Sequence, residues 1–116
     1  MTRIPIAALA AALFFALAAT AQAQHAHGAP AASPSTRAYQ DVNARMHRGM
    51  AVAYTGDADV DFIKGMIPHH QGAIDMAKVV LAHGKDPETR KLAQEIVAAQ
   101  EKEIAMMRDW LKKRGQ

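Results

Sequence analysis

Apolar side chains recur every three or four residues along most of the chain beyond residue 35, the spacing of one face of an α-helix. Alternation with period two does not extend over a useful length, and β-branched residues are few. The pattern predicts three helices, over about 35–54, 59–83 and 87–114. The predicted fold class is therefore all-α.

Capping residues mark the ends of these helices. Ser35 or Thr36 can cap the first, and Gly84 can stop the second. Asp86 followed by Pro87 is typical of a helix start, with the cap before a proline at the first helical position. Carboxylates favour the positive N-terminal end of a helix, and three crowd the start of the second: Asp57, Asp59 and Asp61.

Pro68 lies inside the second predicted helix, where it removes a backbone donor and predicts a kink or break near 65–67. The short connections imply antiparallel neighbours, so the predicted fold is an up-down antiparallel helical bundle of three main helices. Such a small bundle has only a marginal core. A homodimer, a larger bundle or a bound metal would each add stability.

Residues 1–23 carry an apolar run behind Arg3 and end in Ala21-Gln22-Ala23, the pattern of a cleaved signal peptide. The alternative is an uncleaved anchor helix, although the apolar core is short for about 30 Å of hydrocarbon. Residues 24–35, rich in Ala, Pro and Ser, predict a flexible linker before a domain over 36–114. We expect a soluble protein exported to a bacterial periplasm, with no membrane association after cleavage.

Charge and composition narrow the functions. The net charge of +3 falls to +2 without Arg3, which is too little for a nucleic-acid footprint. The chain has no cysteine, which excludes disulfides, zinc–thiolate sites and a cysteine nucleophile. No Glu-x-x-His, His-Glu-x-x-His or Gly-x-Ser-x-Gly motif occurs. We therefore expect a protein that is not an enzyme.

Beyond the predicted signal peptide the chain has six His and six Met, which is unusual in so short a length, and those on the predicted helices fall on shared faces. One face of the second helix carries Phe62, Met66, His69, Ala73, Met76, Val80 and His83. His70 lies about 100° round from His69, so one histidine should point inward and the other sideways. The first helix offers Met46, His47 and Met50.

The third helix carries two neighbouring apolar registers, and a wide buried stripe would include both. They are Leu92, Ile96, Ala99, Glu103, Met106 and Trp110, and beside them Ala93, Val97, Gln100, Ile104, Met107 and Leu111. A buried Glu103 is costly unless it is paired or bound to something. The alternative is that Glu103 lies at the edge and pairs with a Lys or Arg.

A single methionine at such spacing is usually a core residue, but Met and His together favour a metal. Thioether sulfur is soft and selects Cu(I), while imidazole accepts either copper state. Zinc is disfavoured, because its sites use Cys, His and carboxylate. His25 and His27, beside the expected new N-terminus, could capture an oxidised metal ion or belong to an incidental tail.

Two stretches resemble the CopM-like family, a domain-of-unknown-function group of ferritin-like helical bundles with copper-binding members. They are Asp61-Phe62 with Met66-Ile67-Pro68-His69-His70-Gln71 and Ala73-Ile74-Asp75-Met76-Ala77, and Leu92-Ala93, Ile96, Gln100, Glu103-Ile104, Met106-Met107 and Trp110-Leu111. The resemblance covers about 38–113. It implies an exported bundle that binds copper through Met46, His47, Met50, Met66, His69, His70, Met76 and Met107, with Met106 and Glu103 as weaker candidates.

The leading hypothesis is a periplasmic copper-binding protein that acts as a chaperone or sequestering agent in copper homeostasis. It would bind Cu(I), with Cu(II) as the alternative, and a protein partner would receive the ion. The competing hypothesis is a non-catalytic interaction module whose Met-rich face binds protein partners without metal.

Overall fold

The computed structural model describes residues 31–116, which form three helices and no strand. The helices are α1 (Pro34–Met50), α2 (Ala58–His83) and α3 (Pro87–Lys113), which confirms the all-α prediction. Within this part of the chain, no helix is both long enough and apolar enough to cross a bilayer. The predicted signal peptide (1–23) and residues 24–30 of the predicted linker, with His25 and His27, lie outside the described residues.

The first helix begins earlier and ends earlier than the sequence pattern predicts. Ser33 is the cap, because its hydroxyl accepts the Thr36 N–H at 3.1 Å and Pro34 follows at the first position. Neither Ser35 nor Thr36 is therefore the cap. α1 ends at Met50 rather than near residue 54.

The connection to α2 is organised by two aspartates. Asp57 caps α2 by accepting the N–H groups of Asp59 and Val60. Asp61 reaches back to accept the Thr55 N–H and hydroxyl, each at 2.7 Å, and the Gly56 N–H at 3.1 Å. These hydrogen bonds, led by the Thr55 backbone, hold the pKa of the Asp61 carboxyl below its ordinary value. Gly56 has a φ of 90°, which favours glycine in this turn.

Pro68 does not break α2, which is continuous from Ala58 to His83. A kink at this position stays a prediction. Pro68 lies against Gly49 of α1, and one turn further along, Met46 lies against Gly72 of α2. Pro68 has no N–H to donate, so its turn of α2 lacks one backbone hydrogen bond. The close packing against α1 supports this turn. The small residues Gly49 and Gly72 allow the two helices to approach.

The turn between α2 and α3 follows the predicted boundaries. The Gly84 N–H donates to the Val80 carbonyl at 2.7 Å. Arg90 donates to the Leu81 carbonyl at 2.8 Å and to the Gly84 carbonyl at 3.0 Å, which satisfies the end of α2. Asp86 caps α3 by accepting the Thr89 N–H at 2.7 Å. Hydrogen bonds from the Thr89 side chain and backbone lower the pKa of the Asp86 carboxyl.

The central helix is α2, which packs antiparallel against α1 on one side and α3 on another. Arg45 of α1 pairs with Asp75 of α2 at 3.3 Å. Against α3, the core cluster consists of Ile74, Ile104 and Met107, with four half-buried neighbours: Ile63, Met66, Ile67 and Val97. Among the described residues, no Cα atom of α1 lies within 8 Å of one of α3. The helices thus form a row, with α2 in the middle.

Only one of the two apolar registers of α3 is buried, so the prediction of a wide stripe that includes both is wrong. Ala93, Ile104 and Met107 of the second register face α2 and are at most 5% exposed. Leu92 and Met106 of the first register are 55% and 65% exposed. The reason is that α1 lies across α2 and does not cover this side of α3.

Candidate functional site

A continuous surface of α2 and α3 is left uncovered on one side of the molecule. On each helix six residues recur at spacings of four and three along the side that no other described helix covers, and they are exposed or half-buried. Phe62 and Trp110 line one hollow, while Met76, Leu92 and Ile96 line another, so both rows face the same side. We call this surface the open face. Its residues are Phe62, Met66, His69, Ala73, Met76, Val80, Leu92, Ile96, Ala99, Glu103, Met106 and Trp110.

At the edge of the open face, His70 and Glu103 join α2 to α3. The His70 Nε2 atom lies 2.6 Å from Glu103 Oε2, and its Nδ1 atom lies 2.9 Å from the Met66 carbonyl oxygen. His70 is buried, with 9% of its surface exposed, and the Glu103 side chain is about half exposed. A metal needs an imidazole nitrogen without a proton, so binding copper at His70 requires one of these contacts to break. The partner of Glu103 is thus His70 rather than a Lys or Arg.

His69, unlike its neighbour His70, is exposed to solvent. It lies on the open face, and its ring is 6.1 Å from that of His70 at an interplanar angle of 62°. One histidine was expected to point inward and the other sideways, and His70 is the one that points inward. Of these two neighbours, His69 is therefore the one whose ring can reach a ligand from solvent.

The candidate methionines of α2 and α3 divide into packed and accessible side chains. Met107 is 4% exposed and belongs to the core cluster, against which Met66 is half-buried. Met76 and Met106 are 41% and 65% exposed on the open face. Their thioethers can bind an ion without disturbing the core, whereas that of Met107 cannot.

The three candidates of α1 also differ in accessibility. Met46 fits against Gly72 so closely that a Cβ at that position would overlap its sulfur. His47 is exposed, and Met50 is 42% exposed near the end of the helix. The accessible donors of α1 are thus His47 and Met50, which are one turn apart.

Nitrogen and oxygen donors do not assemble a metal site by themselves in residues 31–116. No group of three His, Asp or Glu side chains in that range comes close enough to hold an ion. A site on this surface would therefore need thioether sulfur, which favours Cu(I) over zinc.

The open face also contains an apolar groove of about 260 Å³, in which Tyr39 of α1 forms one wall. Ala73, Met76 and Val80 supply its floor, and Leu92 and Ile96 its other wall. Tyr39 and Phe62 were not among the predicted site residues. The heptad spacing that contains Phe62 was visible in the sequence, but it could not show whether another helix covers that row.

A protein-family model described as a domain of unknown function, DUF305, matches residues 15–111. The chain belongs to this family. The match includes α1, α2 and nearly all of α3, and so contains all ten predicted metal ligands.

Part of the chain is similar to a viral protein. Over 56 residues the chain is 41% identical to the uncharacterized protein L153 of Acanthamoeba polyphaga mimivirus. The aligned segment is 48% of this chain and only 37% of the viral protein. The chain therefore spans a little over a third of that relative's length, and the likeness concerns one segment of a longer protein.

Proposed function

We propose that the protein is an exported, periplasmic copper-binding protein that serves as a chaperone or sequestering agent in copper homeostasis. It binds Cu(I) through Met and His side chains, with Cu(II) as the alternative state. The resemblance of residues 38–113 to the CopM-like family supports this proposal, and so does the absence of cysteine from the chain. Export is supported by the signal-like pattern of residues 1–23.

One observation carries the proposal. His69, Met76 and Met106 are exposed on the same face of the molecule. Large apolar side chains usually lie in the core, and methionine fills cores well. Exposed thioethers beside an exposed imidazole supply the soft donors that Cu(I) prefers.

The ten candidate ligands can be grouped by how accessible their side chains are to an ion from solvent. His69 and Met106, with half-buried Met66 beside them, form the principal donor set of the proposal. Met76 lies ten residues beyond Met66, about 15 Å along α2, and is a separate, weaker donor. His47 and Met50 form a second, smaller set on α1. Met46, His70 and Met107 support the fold around these sets, and Glu103 positions His70.

An open donor set suits transfer of the ion. Two or three soft ligands hold Cu(I) at the surface, and the incomplete coordination shell lets a partner protein supply its own ligand and remove the ion. Storage would instead need a closed shell of four ligands. The proposal therefore involves binding and exchange, with no catalysed reaction.

The second candidate is the interaction module without a metal role. Phe62 and Leu92, which have no metal-binding atoms, are 62% and 55% exposed on the open face. An apolar face of this kind also suits a protein partner. This hypothesis predicts partner binding that is unchanged by copper and by substitution of His69.

A competition titration distinguishes the two. The protein recovered from cells that express the full chain is titrated with Cu(I) against a Cu(I)-selective chelator, as wild type and as His69→Ala, Met106→Leu and Met76→Leu. We expect His69→Ala and Met106→Leu each to weaken Cu(I) binding by about tenfold or more, equivalent to about 1.4 kcal/mol, and Met76→Leu to weaken it less. The leucine variants preserve side-chain volume, so the fold is retained.

Two controls match these variants. His83→Ala removes another exposed histidine of α2, and Met107→Leu removes a buried thioether; both should leave the affinity unchanged. Copper binding at the open face is excluded if the wild type does not compete with the chelator. It is also excluded if the controls lose as much affinity as the open-face variants.

A further inference from the structure

The open face has the pattern of a helix interface. Its two rows of residues follow the four–three spacing that packs one helix against another. Among residues 31–116, nothing covers Leu92 or Met106, which are more than half exposed. No large side chain in that range is fully buried, so the core leaves stability to be gained.

The two rows are also aligned with each other. The His70–Glu103 hydrogen bond fixes the antiparallel register of α2 and α3. In that register Phe62 lies level with Trp110, and Met76 lies level with Ile96, as their shared hollows indicate. The open face is thus a series of layers, each with one residue from either helix.

We propose that the open face binds the open face of a second copy of the chain, about a two-fold axis parallel to the helices. α2 of each copy then lies over α3 of the other, antiparallel, and the four helices enclose one core. This pairing goes beyond the proposed copper function and does not depend on it. Its consequence for that function is that Met66, His69 and Met106 of both copies meet in one region of the interface. A partner protein then receives the ion from the separated chain, in which this face is exposed.

Charge complementarity favours a second copy as the occupant. The titratable side chains of the open face are His69 and Glu103, one of basic and one of acidic character. A two-fold axis parallel to the helices preserves the level of each residue along them. His69 and Glu103 lie at nearly the same level, so His69 of each copy faces Glu103 of the other copy. The interface thus contains two such pairs and brings no like charges together.

The size of the face agrees with this pairing. The open face runs from Phe62 to Val80 on α2 and from Leu92 to Trp110 on α3, which corresponds to a length of about 28 Å. Two adjacent helices present a width of about 20 Å. Each copy therefore contributes about 560 Å², and the total of about 1,100 Å² is above the roughly 1,000 Å² that a specific interface needs.

The first test measures the oligomeric state without metal. Protein recovered from cells that express the full chain is treated with a chelator, and its mass is measured by light scattering and sedimentation over a range of concentrations. We expect the wild type to have twice the mass of the chain. Leu92→Glu should raise the dissociation constant by at least about tenfold, because the pairing would bury an unpaired charge. Ala98→Glu, an exposed position of α3 outside the open face, should have no effect.

The second test fixes the orientation, using the absence of cysteine from the chain. Equal amounts of Ala73→Cys and Ala99→Cys protein are mixed and oxidised gently. The proposed axis predicts a disulfide between the two variants, while Ala99→Cys mixed with Ala105→Cys should give none. Disulfides that join identical variants only would overturn the proposed axis.

Three results would overturn the pairing: a wild type that stays monomeric at every concentration, equal dissociation by Leu92→Glu and Ala98→Glu, or a dimer that forms only after copper is added. A monomer that still binds Cu(I) through His69 would leave the copper proposal standing and remove the dimer. A dimer that binds no copper would leave the pairing standing and remove the copper proposal.

Discussion

Two adjacent histidines of α2 have different environments despite their identical chemistry. His70 is buried and has an acceptor at each ring nitrogen, whereas His69 is exposed beside accessible thioethers. The sequence predicts that they diverge, since neighbours on a helix lie 100° apart. Which of them is inward depends on where α3 packs, and the sequence does not specify that.

The hydrogen bond between His70 and Glu103 should contribute to stability even without metal. We expect Glu103→Ala to lower the free energy of unfolding by about 1 kcal/mol, because it leaves a buried imidazole nitrogen without its partner. Glu101→Ala, an exposed carboxylate two residues away, should change it by less than about 0.5 kcal/mol. Urea unfolding of the metal-free proteins measures both, and equal losses would show that the bond is unimportant.

Asp61 should make stability depend on pH in the acid range. Its pKa is lower in the folded chain than the ordinary value of 3.8. Its contribution is therefore present above 3.8 and is lost as pH falls through the lower, folded pKa. Urea unfolding between pH 2 and 6 should show Asp61→Asn less stable than wild type at pH 6, with the difference shrinking below 3.8. A difference that is constant over the whole range would contradict this linkage.

At the scale of the helices, glycine sets the distance between α1 and α2. Met46 occupies the space that a Cβ at Gly72 would need, whereas nothing lies within 4 Å of a Cβ built at Gly65. Replacing glycine by alanine should therefore change the stability of the protein in opposite directions at Gly72 and at Gly65. Local helix propensity favours alanine at both positions, and the contact with α1 decides the outcome at Gly72.

We expect Gly72→Ala to destabilise the protein by about 1–3 kcal/mol through overpacking. Gly65→Ala should stabilise it by about 0.5–1 kcal/mol, because alanine favours the helix interior. Thermal and urea unfolding give both values. A stabilising Gly72→Ala would mean that α1 does not pack on α2 as described.

The helices themselves are largely predictable, because their signals are local. Asp86 and Pro87 mark the start of α3 in the sequence and in the structure alike, and Gly84 follows the end of α2 in both. The break at Pro68 does not form because the packing of α1 supports that turn. The exposure of Leu92 and Met106 could not be predicted either, since it depends on which side of α2 receives α1.

The whole molecule is a row of three helices with α2 in the middle. This arrangement explains why a seam with core-like spacing, from Leu92 to Trp110, lies on the surface. It also explains why accessible Met and His side chains gather on one face. Copper binding and pairing with a second copy are two proposed uses of that face, and each has its own test.

The most direct test of copper binding at the open face follows the methionine methyl groups by NMR while Ag(I), a redox-inert substitute for Cu(I), is added. We predict that the methyl signals of Met66 and Met106 shift together and before that of Met76, and that His69→Ala weakens this response. The signals of Met46 and Met107, which are packed, should move little. If the Met46 and Met107 signals shift first, or if those of Met66 and Met106 do not respond, copper does not bind where we propose.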